Sequence, residues 1–400
     1  MTDVERLLRE TLADPRHRLE PGPGMYQTVR ERAHQRRQRV VRVASAFTAV
    51  VVIAGVATAV GVSSGHRRGS QVEAPPSITP PPTGLATSVN LGVGSTSSFA
   101  LAPSGIFVAR TQPNQLVELS VANQSVTKRV ATPDAVAGTA VDAVAGQVWT
   151  WSTAQATVDD SGRSAGADST SIHAYATSSF AIDGAVTVPT YTFDAAALDG
   201  QLWLATNNGL YVVSTAANGL VATKVIAGTV FSVAADAVRH RVLYGGAVST
   251  TAGADSLGSI AVHEIDAYTH AVFGVGTPLP IGKESIAIVG DQIWVGGYGS
   301  GSTPRLFHLD GASLQPLQTT GFGAGNPLEL GPGAIVWSGA SVLWVRSGGS
   351  EGLSCVDPQT GALLEQWDAV QGPVLSVRGH AFAASDGSLD QLSLAGGCTG

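Results

Sequence analysis

The chain has 400 residues, 44% of them hydrophobic and only 13% charged, against a globular norm of about 25% charged. Its net charge of −7 is unevenly spread: residues 1–42 carry ten arginines against six acids, net +4, while residues 84–400 carry 23 acids against eleven bases, net −12. A body of that sign excludes nucleic acid as a general partner, because affinity for phosphates comes mainly from Lys and Arg.

The first element is an amphipathic helix. Val4, Leu7, Leu8 and Leu12 fall on one face at helical spacing, and Pro15 followed by Pro21-Gly22-Pro23-Gly24 ends it. A second helix is predicted to begin near Met25 and to run into the arginine-rich stretch that ends at Arg42. Such a tail either lies on the inner leaflet, arginines against anionic lipid, or docks a cytoplasmic protein. The lipid reading is preferred, since basic flanks of this kind serve topology.

Val43 to Val62 is a run of twenty residues without a charge. At ~1.5 Å per residue it makes about 30 Å of helix, the thickness of a bilayer core. A buried core helix would carry polar punctuation over such a length. A cleaved signal peptide would have a shorter apolar core, of ~7–15 residues, and a shorter preceding region than 42. The positive-inside rule places the arginine-rich N-terminus in the cytoplasm and the rest outside the cell. Residues 63–84 follow as a linker, in which Pro75, Pro76, Pro80, Pro81 and Pro82 impose an extended, semi-rigid spacer.

Residues 85–400 carry an internal repeat. A strand with a bulky apolar pair recurs as Ile106-Phe107, Val148-Trp149, Leu202-Trp203, Leu243-Tyr244, Ile293-Trp294, Leu343-Trp344 and Ala381-Phe382, the second members 42, 54, 41, 50, 50 and 38 residues apart. Each is preceded by a strand of small residues, such as SVAAD, and followed by an alternating strand ending near Asp or Ser, such as VHEID or LFHLD. A more variable fourth strand comes next. Four strands every ~40–50 residues is the pattern of β-propeller blades; a pair of β-sandwiches shares the short strands but not their fixed order. The expected fold is all-β, a seven-bladed propeller at 85–400 on an N-terminal transmembrane helix with a short cytoplasmic helical tail. The seventh repeat ends without a fourth strand, and Leu85 to Leu91 is positioned to supply it.

Two resemblances accompany this reading. The repeats resemble YVTN and quinoprotein-like propellers, best in CVDPQTGALLEQW, where Asp357, Thr360, Gly361 and Trp367 carry the likeness. It implies the fold and no cofactor. The tail, through VERLLRETL, PGP and its arginine run, resembles N-terminal segments of single-pass membrane proteins of GC-rich bacteria, some of which look like partners of extracytoplasmic-function sigma factors. The tail has no cysteine and so lacks the zinc ligands of zinc-binding anti-sigma domains.

No catalytic constellation can be read from the chain, and no metal site is expected. HExxH, HxH, C-x-x-C and P-loop patterns are missing, and no GxSxG nucleophile or Ser/His/Asp arrangement can be claimed. His173 and His263 fall at matching repeat positions, and His308 is offset by one residue and therefore faces the other side of its strand. The acidic segment 158–168, with Asp159, Asp160 and Asp168, lacks the spacing of a calcium loop and reads as a flexible surface insertion. Cys355 and Cys398 are the two cysteines; in an extracytoplasmic domain such a pair can form a disulfide. The functional expectation is a membrane-anchored extracytoplasmic binding or sensing protein. Its partners would be the lipid bilayer, an extracytoplasmic protein or small molecule, and a cytoplasmic protein at the tail. The alternative is a lyase or hydrolase with its site in the central channel.

Overall fold

The computed structural model describes residues 85–91, 95–102, 104–155, 157–158, 164–165, 168–247, 259–298, 304–317, 335–338, 341–346, 352–367, 370, 373–377, 380–385, 388–394 and 398. The tail, the 43–62 segment and the linker lie outside these residues. The chain divides into two compact units, Met1–Ile78 and Thr79–Gly400. Among the described residues no helix is long and apolar enough to cross a membrane.

The second unit is all-β: seven antiparallel sheets, the blades of a propeller, numbered here in chain order. Their inner strands are Ser95–Ala102, Gly138–Asp142, Thr192–Leu198, Val230–Asp236, Gly282–Val289, Ile335–Ser338 and Val374–Val377. Small residues prevail there because seven strands converge on one axis. Blade 2 carries a short inserted hairpin, Thr157–Val158 against Ser164–Ala165, within the stretch read as a flexible surface insertion; Asp159 and Asp160 lie outside the described residues. Blade 5 shows three strands among the described residues, with a bridge from Leu309 to Pro316 beyond the third.

Blade 7 draws its outer strand from the start of the unit. Leu85–Asn90 pairs antiparallel with Ser388–Leu392, from Leu85 opposite Leu392 to Asn90 opposite Ser388. Ser88 Oγ donates to Asp390 Oδ1 at 2.6 Å. Leu91, the next residue, is fully buried, packed with Ile106 and Val108 of blade 1 and Phe382 and Leu389 of blade 7. Its carbonyl accepts from the buried Arg110 guanidinium and from the exposed Arg129 at 3.3 Å. Burial and the neighbouring Arg129 both lower the Arg110 pKa. The ring is therefore closed by sheet pairing between its two ends.

Between blades, one large side chain per second strand points at the next blade: Phe107 toward blade 2, Trp149 toward 3, Trp203 toward 4, Trp294 toward 6, Trp344 toward 7 and Phe382 toward 1. Blade 4 corrects the expected repeat. There Leu243 faces blade 5 and Tyr244 turns back onto blade 3. Successive strand residues point to opposite faces, so moving the marker by one residue reverses the interface to which it belongs.

The turn after the third strand repeats in five blades. In blades 4, 5 and 6 an aspartate side chain accepts two backbone N–H groups: Asp266 from Tyr268 and Thr269, Asp310 from Ala312 and Ser313, Asp357 from Gln359 and Thr360. The penultimate turn residue is left-handed in each blade from 1 to 6 except blade 3: Gln124, Phe180, His270, Leu314 and Gly361 have φ between 51° and 72°. Only Gly361 adopts this conformation without a Cβ penalty.

Two outcomes test these features by thermal and denaturant unfolding. Arg110→Ala is expected to lose about 2–4 kcal/mol, because a buried carbonyl loses its main donor and a cavity opens, whereas Arg129→Ala stays within about 0.5 kcal/mol. Gly361→Ala is expected to cost about 1–2 kcal/mol, the left-handed penalty.

Candidate functional site

The inner strands of blades 1, 3, 4 and 5 share an irregularity near their start. Register slips by one between Thr96 and Ser98, Thr192 and Asp194, Val230 and Ser232, and Gly282 and Glu284. The extra residues are Ser97, Phe193, Phe231 and Lys283. A bulge frees such a residue from the ladder and re-aims it. In blades 3 and 4 it is a phenylalanine; Phe193 is 41% exposed, and its ring lies 5.6 Å from that of Phe231 and 5.4 Å from that of Tyr191. Asn207 holds this corner: its side-chain oxygen accepts from Thr190 Oγ1 and the Tyr191 N–H, its amide donates to Asp168, and its carbonyl accepts from Thr229 Oγ1.

These rings open into a cavity of about 480 Å³ between the inner strands of blades 3 to 6. Phe193, Phe231 and Trp337 supply aromatic wall, Asp194, Ser285 and Ser338 the polar groups, and aliphatic inner-strand side chains the remainder. The polar groups have a structural reason to be there. An innermost strand leaves N–H groups without a ladder partner, and each buried one must find an acceptor. Asp194 Oδ2 accepts from Val233 N–H at 3.0 Å, Ser285 Oγ from Val336 N–H at 2.9 Å, and Ser338 Oγ from Ile288 N–H at 2.9 Å. In blade 1, Ser98 does the same for Thr139 N–H at 3.1 Å, from the same post-bulge position as Asp194.

Asp194 is thus a carboxylate where blade 1 has a hydroxyl. Burial pushes its pKa up to about 6, against the opposing pull of the Val233 and Ala195 N–H bonds. It is the charged side chain among the described residues of the cavity wall. On the inner strands of blades 4 and 5, which also line the cavity, the sequence carries further charge at Asp236, Lys283 and Glu284; Asp236 is held by Arg241 at 2.8 Å and Arg239 at 3.0 Å.

The two faces of the ring differ. Phe193 and Phe231 lie beside strand ends that bracket the longer connections: in blade 4, Val230 neighbours Gly246, and Ala247 neighbours Ile260 across residues 248–259. Leu85, where the chain enters the closing strand, is at the other face, beside Leu392 and Ala381. The aromatic mouth and the chain's entry are on opposite sides.

The residues singled out in the sequence are elsewhere. His263 stacks on Tyr244 at 4.8 Å, toward blade 3, and His308 on Trp294 at 4.3 Å, toward blade 6, so the two face opposite sides of their sheets as the offset required. Burial lowers both pKa values. His173 sits on blade 2, opposite Thr150. Among the described residues no group of three or more His, Cys, Asp or Glu side chains is placed to hold a metal ion. Cys355 and Cys398 adjoin in the interface of blades 6 and 7, both fully buried, with Cα atoms 6.2 Å apart in disulfide geometry. Phe193, Phe231, Trp337 and Asp194 escaped the sequence reading. The available signal was an aromatic at the second position of an otherwise small-residue inner strand, TFDAAAL and VFSVAAD.

No protein-family model matches the chain, and no curated protein does. Solved structures do. The β-propeller domain of Cps50 (Swd1) from Myceliophteria thermophila is similar at a TM-score of 0.54 and 9% identity, over 77% of this chain and 100% of that one. Kuenenia stuttgartiensis hydrazine synthase is similar at 0.56 and 11% identity, over 78% and 98%. The shared property is the fold.

The raised Asp194 pKa has a definite consequence. The folded chain holds a proton that the unfolded chain releases between pH 3.8 and about 6, so this group's contribution to stability falls as pH rises through that window. Asp194→Ser keeps the acceptor for Val233, as Ser98 does in blade 1. Denaturant unfolding at pH 4 and pH 7 should show the variant gaining about 1–3 kcal/mol relative to wild type at the higher pH. An unchanged difference contradicts the assignment.

Proposed function

We propose that this chain is a membrane-anchored extracytoplasmic binding protein, with residues 43–62 as its single transmembrane helix, residues 63–84 as spacer, and a propeller that takes a small molecule in its central channel. The observation that carries the binding reading is the cavity itself: bulges turn two phenylalanines into it beside a carboxylate, in strands otherwise built of small residues. A volume of about 480 Å³ falls within the ~300–1,000 Å³ of small-molecule sites. The uncharged twenty-residue run and the arginines before it support the anchor and its orientation. We assign the tail, residues 1–42, to the inner leaflet and to any cytoplasmic protein partner the sensor addresses.

The alternative, a lyase or hydrolase working in the channel, draws on the same carboxylate, since a pKa near 6 suits proton transfer. It requires a chemical change in a bound molecule, which mass spectrometry of ligand recovered from the protein distinguishes from simple retention.

Topology is tested with a reporter active only outside the cytoplasm. Fused after Gly400 it should be active; fused at residue 20 it should be silent, and the reverse pattern overturns the orientation. Compartment has an independent readout. Peptide mapping without reductant should recover Cys355 and Cys398 as one linked pair from natively produced protein, and two free thiols would argue for a reducing compartment.

A further inference from the structure

We infer that the channel cavity is built for a protonated or quaternary amine carrying an apolar body. The inference rests on the reading of the channel as a binding site and narrows its ligand. Phe193, Phe231 and Trp337 wall a space in which Asp194 is the charged group of the described lining. Aromatic faces attract cations through the ring quadrupole, an effect that strengthens when water is displaced. A carboxylate beside them supplies the counter-charge where the effective dielectric is low. An anion would be repelled by Asp194, and a neutral guest would leave the carboxylate unmatched.

Backbone chemistry alone does not account for Asp194. The interblade bond it makes to Val233 is made from the same position in blade 1 by Ser98, at no cost in buried charge. Nor does core packing account for Phe193: it keeps 41% of its surface exposed, and its ring meets those of Tyr191 and Phe231, the latter also packed against the core between blades 4 and 5. Charge and rings meet in one cavity, and a cation with an apolar body matches both. Above pH 6 the carboxylate is ionised, so the attraction operates at neutral pH. The body's net −12 adds a field that concentrates cations around the ring.

The test uses the full-length chain in a nonionic detergent and three probes of similar size: benzyltrimethylammonium, benzyl alcohol and benzoate. Affinities are read by saturation-transfer NMR titration. The cation should bind about tenfold more tightly than either competitor. Asp194→Ser should weaken the cation about tenfold and leave benzyl alcohol within about twofold, while Trp337→Leu and Phe193→Leu each weaken the cation severalfold, with melting temperatures confirming that all three variants fold. Benzyl alcohol or benzoate binding as tightly as the cation, with Asp194→Ser indifferent, would overturn the ligand class and leave the channel as a binding site. No saturation transfer to any of the three probes, in wild type and variants alike, would overturn both.

Discussion

The structure depends on one pairing, Leu85–Asn90 against Ser388–Leu392, which joins residues some three hundred positions apart. A propeller blade is stable only between neighbours, because each face of each sheet is apolar. Each interface here receives a bulky second-strand side chain from the preceding blade, from Phe107 through Trp149, Trp203 and Leu243 round to Phe382. Without closure, blades 1 and 7 would each present such a face to water, along with an open edge. Loop-closure entropy rises only slowly with length, so a pairing over so long a separation is accessible once the blades between are folded. Arg110 and Leu91 secure it from the blade 1 side.

Closure also dictates the chemistry of the channel. Seven inner strands brought to a common axis leave N–H groups that no further strand can satisfy. Side-chain acceptors bridging from the neighbouring blade meet that demand, through Ser98, Asp194, Ser285 and Ser338. Three of the four are hydroxyls. Once a carboxylate takes the place of one, a structural bond acquires a charge, and the bulged phenylalanines lie beside it in the same cavity. The candidate site is thus a local change to a device that the fold needs anyway.

Strand order and ring closure were legible in the sequence because they rest on strong signals: a repeated apolar pair, small residues ahead of it, and a last repeat one strand short. The offset of His308 from His263 was legible for the same reason, since alternation along a strand is strict. Marker identity in blade 4 was not. Leu243-Tyr244 holds two bulky residues in succession, and only packing reveals that Leu243 takes the place tryptophan holds elsewhere. The repeated turn was visible in one blade alone, because Gly361 announces a left-handed residue and Gln124, Phe180, His270 and Leu314 do not. The channel site was hidden more deeply. A bulge is a change of register, which becomes visible only against a paired strand, so Phe193 and Phe231 read as ordinary strand residues.

The central claim is that the ends of the chain close the ring, and truncation tests it most directly. Removal of residues 1–83 takes away only what precedes the closing strand, and the remaining chain should unfold in one cooperative transition. Removal of residues 1–92 also takes away Leu85–Asn90 and the buried Leu91, and should lower the melting temperature sharply or cause aggregation through the exposed edge of Ser388–Leu392. The two truncations differ by nine residues. Identical melting curves for the pair would contradict closure by this strand, and with it the account of how the channel is held.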